Sequence, residues 1–185
     1  NDTRAQEIIA LTKELIPDKP IGYVLTSHNH FDHASGLRDF VAEGATIITH
    51  EINQEFFESA LANPRTLRAE SDLSEGMPVS VLGVGDFFVL DDGNQRLEIY
   101  KLNDSLHADD VLIAYIPSIK TIVEADLMQP WINPVFGGGD HPFLIWFADE
   151  LERIGIEYEQ FVPIHRPSTP PLMTRIELLE AVGRN

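Results

Sequence analysis

The chain contains no cysteine among its 185 residues. Disulfides and thiolate metal sites are therefore excluded, and any transition metal must be held by nitrogen and oxygen donors. It is also poor in positive charge, with 13 Lys and Arg against 30 Asp and Glu and a net charge of -17. Such a surface repels a phosphate backbone, and no Lys/Arg cluster offers a local exception, so nucleic acid is not an expected partner. The carboxylates are spread along the chain, which reads as a well-solvated surface rather than an acidic tail. No apolar run approaches the length that spans a bilayer, and the first residues form a polar helical pattern rather than a signal sequence, so no membrane partner is expected. Low-complexity tracts and internal repeats are missing too. With 43% hydrophobic residues, the composition supports one folded domain over 1–185 and excludes disorder. The compartment is left open between periplasm and cytosol, leaning to the periplasm.

Against these absences stands one concentration. His28-Asn29-His30-Phe31-Asp32-His33 gathers three of the seven histidines and a carboxylate into six residues. The pattern H-x-H-x-D-H arises by chance in about one such chain in a thousand. Upstream, Ile21-Gly22-Tyr23-Val24-Leu25-Thr26 reads as a buried strand that ends where the motif begins. On backbone that is still extended, His28 and His30 project to one side and can share an ion, and the following turn brings Asp32 and His33 towards a second. A histidine-rich polar loop is the alternative, but clustered imidazoles gain little without a metal.

The remaining pattern alternates. Thr3-Arg4-Ala5-Gln6 has the form of a capping box, and Ile8, Leu11 and Leu15, flanked by Ile9 and Ile16, predict a helix with an apolar stripe, stopped by Pro17. Leu37, Phe40 and Val41 suit a short helix starting near Asp32; a strand follows at 46–48, then a helix carrying Ile52, Phe56 and Ala60. Strand-like runs at 79–82, 86–90 and 95–102 predict an antiparallel meander, the last two joined by Asp91-Asp92-Gly93-Asn94. Two further strands, 111–116 and 119–125, flank Pro117-Ser118. A helix at 142–154, a strand at 160–164 and a helix at 171–182 complete the order, which points to sheets covered by helices. His50 is read as a cap or packing residue near the helix at 51. The stretch Gly137-Gly138-Gly139-Asp140-His141, with Trp131, Phe136 and Phe143, reads either as a lid with aromatic contacts for substrate or as a plain surface loop.

Three downstream donors sit at strand ends or in loops beside strands: His107 after Asn103-Asp104-Ser105-Leu106, Asp126 after Ile122-Val123-Glu124-Ala125, and His165 after Phe161-Val162-Pro163-Ile164. Taken singly, a histidine before a strand is more often a surface or hydrogen-bonded residue than a ligand, and an aspartate there can be a turn cap. As a set, and in this order, they resemble the ligand motifs of the metallo-β-lactamase superfamily of metallohydrolases over residues 21–165. The resemblance implies an α/β (α+β) fold, a four-layer αββα sandwich. It also implies a first metal site at His28, His30 and His107, a second at Asp32, His33 and His165, and Asp126 bridging both. Only 27 residues precede His28, so the family's N-terminal strands are expected to be missing. The uncovered sheet would then favour a homo-oligomer or a missing N-terminal segment as partner.

The implied cofactors are two divalent metal ions, zinc first and manganese or iron as alternatives. Three neutral imidazoles leave a position for water, and two cations sharing that water lower its pKa towards neutrality. Asp32 is the expected catalytic residue, as ligand and orienter of that water. In β-lactam-hydrolysing branches the position matching Asp126 is typically Cys or Ser, and the intervals between motifs leave no room for a large inserted domain. The expected substrate is therefore a small ester, thioester or lactone. The alternatives are β-lactam or phosphodiester hydrolysis, or a non-catalytic metal-binding or iron-based redox module.

Overall fold

Helix α1 (Asp2–Leu15) buries Ala5 and Ile9, four residues apart on one face, and packs on α3 (Leu37–Ala42). Of the expected apolar stripe, Ile8, Leu11 and Leu15 are exposed, and the flanking Ile9 is the buried member. The helix also starts ahead of Thr3, so Thr3 lies inside it rather than at a capping position. These coordinates belong to a computed structural model that describes residues 2–64, 73, 76–128, 142–165 and 172–184. The chain divides into two units, Asn1–Gly85 and Asp86–Asn185.

In the first unit β1 (Tyr23–Leu25), β2 (Thr46–His50) and β3 (Val81–Val84) form a parallel sheet in that order. Parallel neighbours need crossover connections. Here α2 (Phe31–Ala34) and α3 join β1 to β2, and α4 (Gln54–Ala62) lies between β2 and β3 after a 3-10 turn at Glu51–Asn53. Leu37 and Val41 of α3, Ile47 of β2 and Phe57 and Leu61 of α4 make the core. Arg38 is buried and its guanidinium donates to the carbonyls of Ala60 and Asn63, which gives the last turn of α4 its acceptor-matched cation. The strand near 79–82 does not join the meander expected from sequence: it lies parallel to β2, in register Ile47↔Val81. Its run Val81-Leu82-Gly83-Val84 lacks the alternation of a half-exposed antiparallel strand. Gly83 is required, because a Cβ there would stand 2.9 Å from Glu51 Cα.

The second unit is a six-stranded sheet in the order β4 to β9. β4 (Phe87–Asp91), β5 (Arg96–Lys101), β6 (Leu112–Ile116) and β7 (Thr121–Glu124) form an antiparallel meander, which takes in two of the three runs expected to make one, those at 86–90 and 95–102, and extends to the two strands around Pro117-Ser118. At its first hairpin Asp91 Oδ1 accepts from Gly93 N at 2.8 Å and Asp92 Oδ1 from Asn94 N at 2.9 Å, with Gly93 at φ 85°. Helix α5 (Pro142–Ile154) connects β7 to the parallel β8 (Gln160–Pro163). A short β9 (Met173–Thr174) then runs antiparallel to β8. The helix expected at 171–182 begins only at Arg175, as α6 (Arg175–Ala181), because Thr174 and Glu177 close a capping box there. Ile113, Ile122, Phe147 and Phe161 are fully buried in the core between sheet and helices.

This topology fixes where side chains emerge. β5 and β7 both run antiparallel to β6, and β8 runs parallel to β7. The carboxyl ends of β5, β7 and β8 therefore share one sheet edge, and the loops that leave it carry His107, Asp126 and His165.

Candidate metal centre

The first cluster grows from the end of β1. Thr26 continues the ladder through its N–H to Ile48 O at 3.0 Å, and its hydroxyl donates to His28 O at 3.0 Å. The chain then leaves the sheet, and α2 starts at Phe31 with His30 as its extended N-cap residue. His28 is 1% exposed. Its Nδ1 lies 3.0 Å from Ser27 Oγ and its Nε2 3.0 Å from His30 Nδ1. A partner on one ring nitrogen orients the imidazole and leaves the other for a metal. His33 folds back towards His28, with ring centroids 4.4 Å apart, and its Nε2 lies 3.4 Å from Asp32 Oδ2. The sequence's four candidates in this unit, His28, His30, Asp32 and His33, are thus brought together in one turn of chain.

The second cluster is centred on Asp126, whose side chain is 10% exposed. Its Oδ2 lies 3.2 Å from His107 Nε2 and its Oδ1 3.4 Å from His165 Nε2. One carboxylate thus offers a different oxygen to each of two imidazoles. Asp126 sits at φ 68°, in the left-handed region that non-glycine residues avoid, and this conformation turns its side chain off the line of β7. His165 leaves β8 after Ile164, whose N–H donates to Glu124 O at 2.8 Å. His107 ends a tight loop in which Ser105 Oγ accepts from the N–H groups of His107 and Ala108 at 3.1 and 3.3 Å.

Within each cluster imidazole nitrogens and carboxylate oxygens lie 3.0 to 3.4 Å from a neighbouring donor atom, and this nitrogen and oxygen donor set fits a divalent metal. His50 behaves as expected: it is buried and its Nδ1 accepts from Ile52 N at 3.4 Å, capping the 3-10 turn. Trp131, Phe136 and the run Gly137 to His141 lie outside the described residues.

Two supporting residues were not singled out from the sequence. Ser27 is the polar residue between an apolar strand and His28. Glu124 is the lone charge in the apolar run Thr121-Ile122-Val123-Glu124-Ala125, and that isolation is the signal that could have found it. Its carboxylate is fully buried, and Oε2 accepts the Leu127 N–H at 2.8 Å. Burial pushes its pKa up to about 7, against the pull of the Leu127 and Met128 N–H groups, with the nearby Asp126 adding to the rise.

Comparison with known proteins adds a family pattern to this geometry. The family model described as the metallo-beta-lactamase superfamily matches residues 1–142. The alpha subunit of 2,4-dinitroanisole O-demethylase from Nocardioides sp. (strain JS1661) is 22% identical over 151 residues, covering 80% of this chain. The chain spans 42% of the length of that curated relative. Among solved structures, a metallo-beta-lactamase from Pontibacter korlensis matches 96% of this chain and 74% of its own at 17% identity, with a TM-score of 0.65. The flavodiiron protein from Giardia intestinalis matches 99% of this chain and 46% of its own at 19% identity, also with a TM-score of 0.65.

Proposed function

Because the chain belongs to the metallo-beta-lactamase superfamily, we propose that it is a metal-dependent hydrolase that cleaves a small ester, thioester or lactone. Its fold is the α/β sandwich of that superfamily, as the sequence motifs implied. By the order of the ligand motifs, two divalent ions, zinc in the first place, would be held by seven side chains: His28, His30 and His107 for one ion, Asp32, His33 and His165 for the other, and Asp126 as the carboxylate shared by both. The observation that carries this reading is Asp126, with Oδ2 towards His107 and Oδ1 towards His165. A carboxylate serving one ion has no need to present its two oxygens to two imidazoles.

Such ions, when bound, would supply Lewis-acid chemistry: polarisation of the scissile carbonyl and a lowered pKa for a bound water. The protein's own groups do the rest. Ser27 holds the His28 ring so that Nε2 is the donor. Asp32, half-exposed at the first turn of α2, accepts a hydrogen bond from the attacking water and aims its lone pair at the acyl carbon. The water oxygen bonds to that carbon, the bond from carbon to the leaving oxygen or sulfur breaks, and the water's proton ends on the leaving group. A carboxylic acid and an alcohol or thiol result.

Support for the substrate class comes from the aspartate at 126, where β-lactam-cleaving branches carry Cys or Ser. The net charge of -17 also disfavours polyanionic substrates. A second reading is favoured by the curated relative's name: O-demethylation of an aryl methyl ether such as 2,4-dinitroanisole. The flavodiiron neighbour supports iron as the alternative metal.

Metal analysis of the purified chain, followed by turnover of aryl esters, thioesters, lactones, a cephalosporin, a phosphodiester and dinitroanisole, tests the proposal. Two metals per chain with ester, thioester or lactone turnover are expected. Less than one metal per chain overturns the dinuclear reading, and turnover confined to another substrate reassigns the reaction.

A further inference from the structure

The main-chain ladder of β5 ends at Leu102, whose N–H donates to Val111 O at 3.0 Å. At the next residue the backbone is taken over by side chains of α5. The Asn103 N–H donates to Glu150 Oε2 at 2.7 Å, and the Asn103 carbonyl accepts from Trp146 Nε1 at 2.9 Å. Phe143, Trp146 and Glu150 are spaced three and four apart, so they share one helix face. Phe143 sets its ring edge-on to His107, with centroids 6.3 Å apart, and lies 5.5 Å from Trp146. Glu150 is itself fixed, since Arg153 donates to both of its oxygens at 2.7 and 2.8 Å. A residue with both main-chain groups bonded to side chains of one helix, four positions before a candidate ligand and with Asp104 at φ 49° in between, marks a loop whose shape is imposed rather than intrinsic.

We propose that Trp146 and Glu150 are positioning residues that act through Asn103 to hold His107 at the reach and angle needed for metal binding. This rests on the reading of His107 as a ligand. Outer groups that orient a metal-ligating histidine change metal affinity by about 10- to 100-fold when removed. Trp146→Phe keeps the ring contact with Phe143 and deletes only the N–H to Asn103. Glu150→Ala removes the acceptor, whereas Glu150→Gln retains an oxygen for the Asn103 N–H.

The test is zinc titration of the full chain against a chelating indicator, with the visible spectrum of the cobalt(II)-substituted protein and amide exchange of residues 103–107 measured alongside. His107→Ala is the control for the underlying reading. Expected are a zinc affinity about 10- to 100-fold weaker in Trp146→Phe and Glu150→Ala, altered cobalt bands, faster exchange at 103–107, and recovery towards the parent in Glu150→Gln. If His107→Ala binds zinc as the parent does, the ligand reading fails. If His107→Ala weakens binding while Trp146→Phe and Glu150→Ala bind zinc like the parent, the positioning role alone is overturned. A lowered melting temperature with unchanged zinc affinity and cobalt bands overturns it in the same way, because it reports a purely structural role.

Discussion

Glu124 and Leu127 close the turn that presents Asp126: the buried carboxylate accepts the Leu127 N–H at 2.8 Å, across the single residue pair that changes the direction of the chain. Met128 N–H bonds to the same carboxylate. Asp126 between them holds φ 68°, a conformation that costs of order 1–3 kcal/mol outside glycine. The buried acceptor offsets that cost, since without it two main-chain donors would lie in the interior unmet.

Replacing Glu124 by alanine should therefore destabilise the second unit by about 1–3 kcal/mol for each donor left unmet. Glu124→Gln keeps an acceptor oxygen and should lose less. Urea unfolding of the two variants checks this, and equal losses in both would contradict the role given to the acceptor.

Phe31 makes a separate prediction. It stands between His30 and Asp32 at the start of α2 and is 81% exposed, so it contributes almost nothing to the core. Phe31→Ala should leave stability within about 0.5 kcal/mol of the parent. With the proposed ester substrates it should raise KM for those with bulky apolar acyl groups while leaving kcat nearly unchanged. Steady-state kinetics on acetyl and longer-chain aryl esters decide it: a KM that ignores chain length in both proteins removes Phe31 from substrate contact.

Much of the two candidate clusters was legible because imidazole and carboxylate donors grouped at strand ends are a rare pattern. His28, His30, Asp32 and His33 announce themselves by density, and His107, Asp126 and His165 by order and by their positions around strands. What holds them was harder to read. Glu124 and Glu150 act on main-chain N–H groups, and the pairing of Glu150 with Asn103 spans 47 positions that no local pattern connects. The fold showed the same division. The meander from β4 to β7 follows from alternation and turn residues, whereas the placement of β3 beside β2 depends on long-range parallel pairing. The stripe Ile8, Leu11 and Leu15 has helical spacing, yet spacing alone does not say which face of α1 is covered; Ala5 and Ile9 turned out to be the buried pair.

Asp32 offers a direct test of chemistry against stability. Its side chain is 45% exposed and its distance of 3.4 Å to His33 is long for a strong ion pair. Asp32→Ala should then cost less than about 1 kcal/mol in folding. A group that orients the attacking water contributes about 100-fold or more to the rate. A folded, metal-loaded Asp32→Ala protein with unchanged turnover would remove that role.

Glu150 gives the pH dependence. Burial alone would raise its pKa, but hydrogen bonds from Arg153 and from the Asn103 N–H outweigh that effect and the neighbouring Asp149 charge, and hold the carboxyl below the ordinary value of 4.5. The folded state therefore favours the ionised form more than the unfolded chain does. Below 4.5 the unfolded chain binds the proton first, so stability from this group is fully present above that pH and is lost as pH falls through the lowered folded value. Glu150→Gln cannot ionise and should lack this component. The parent should be the more stable of the two near neutral pH, and its advantage should shrink progressively in acid. Urea midpoints of both proteins, measured from about pH 7 down to about pH 3, check the slope. A gap that stays constant across that range would show that the Glu150 carboxylate gains no net stabilisation from Arg153 and Asn103, and that its contribution is one of shape rather than charge.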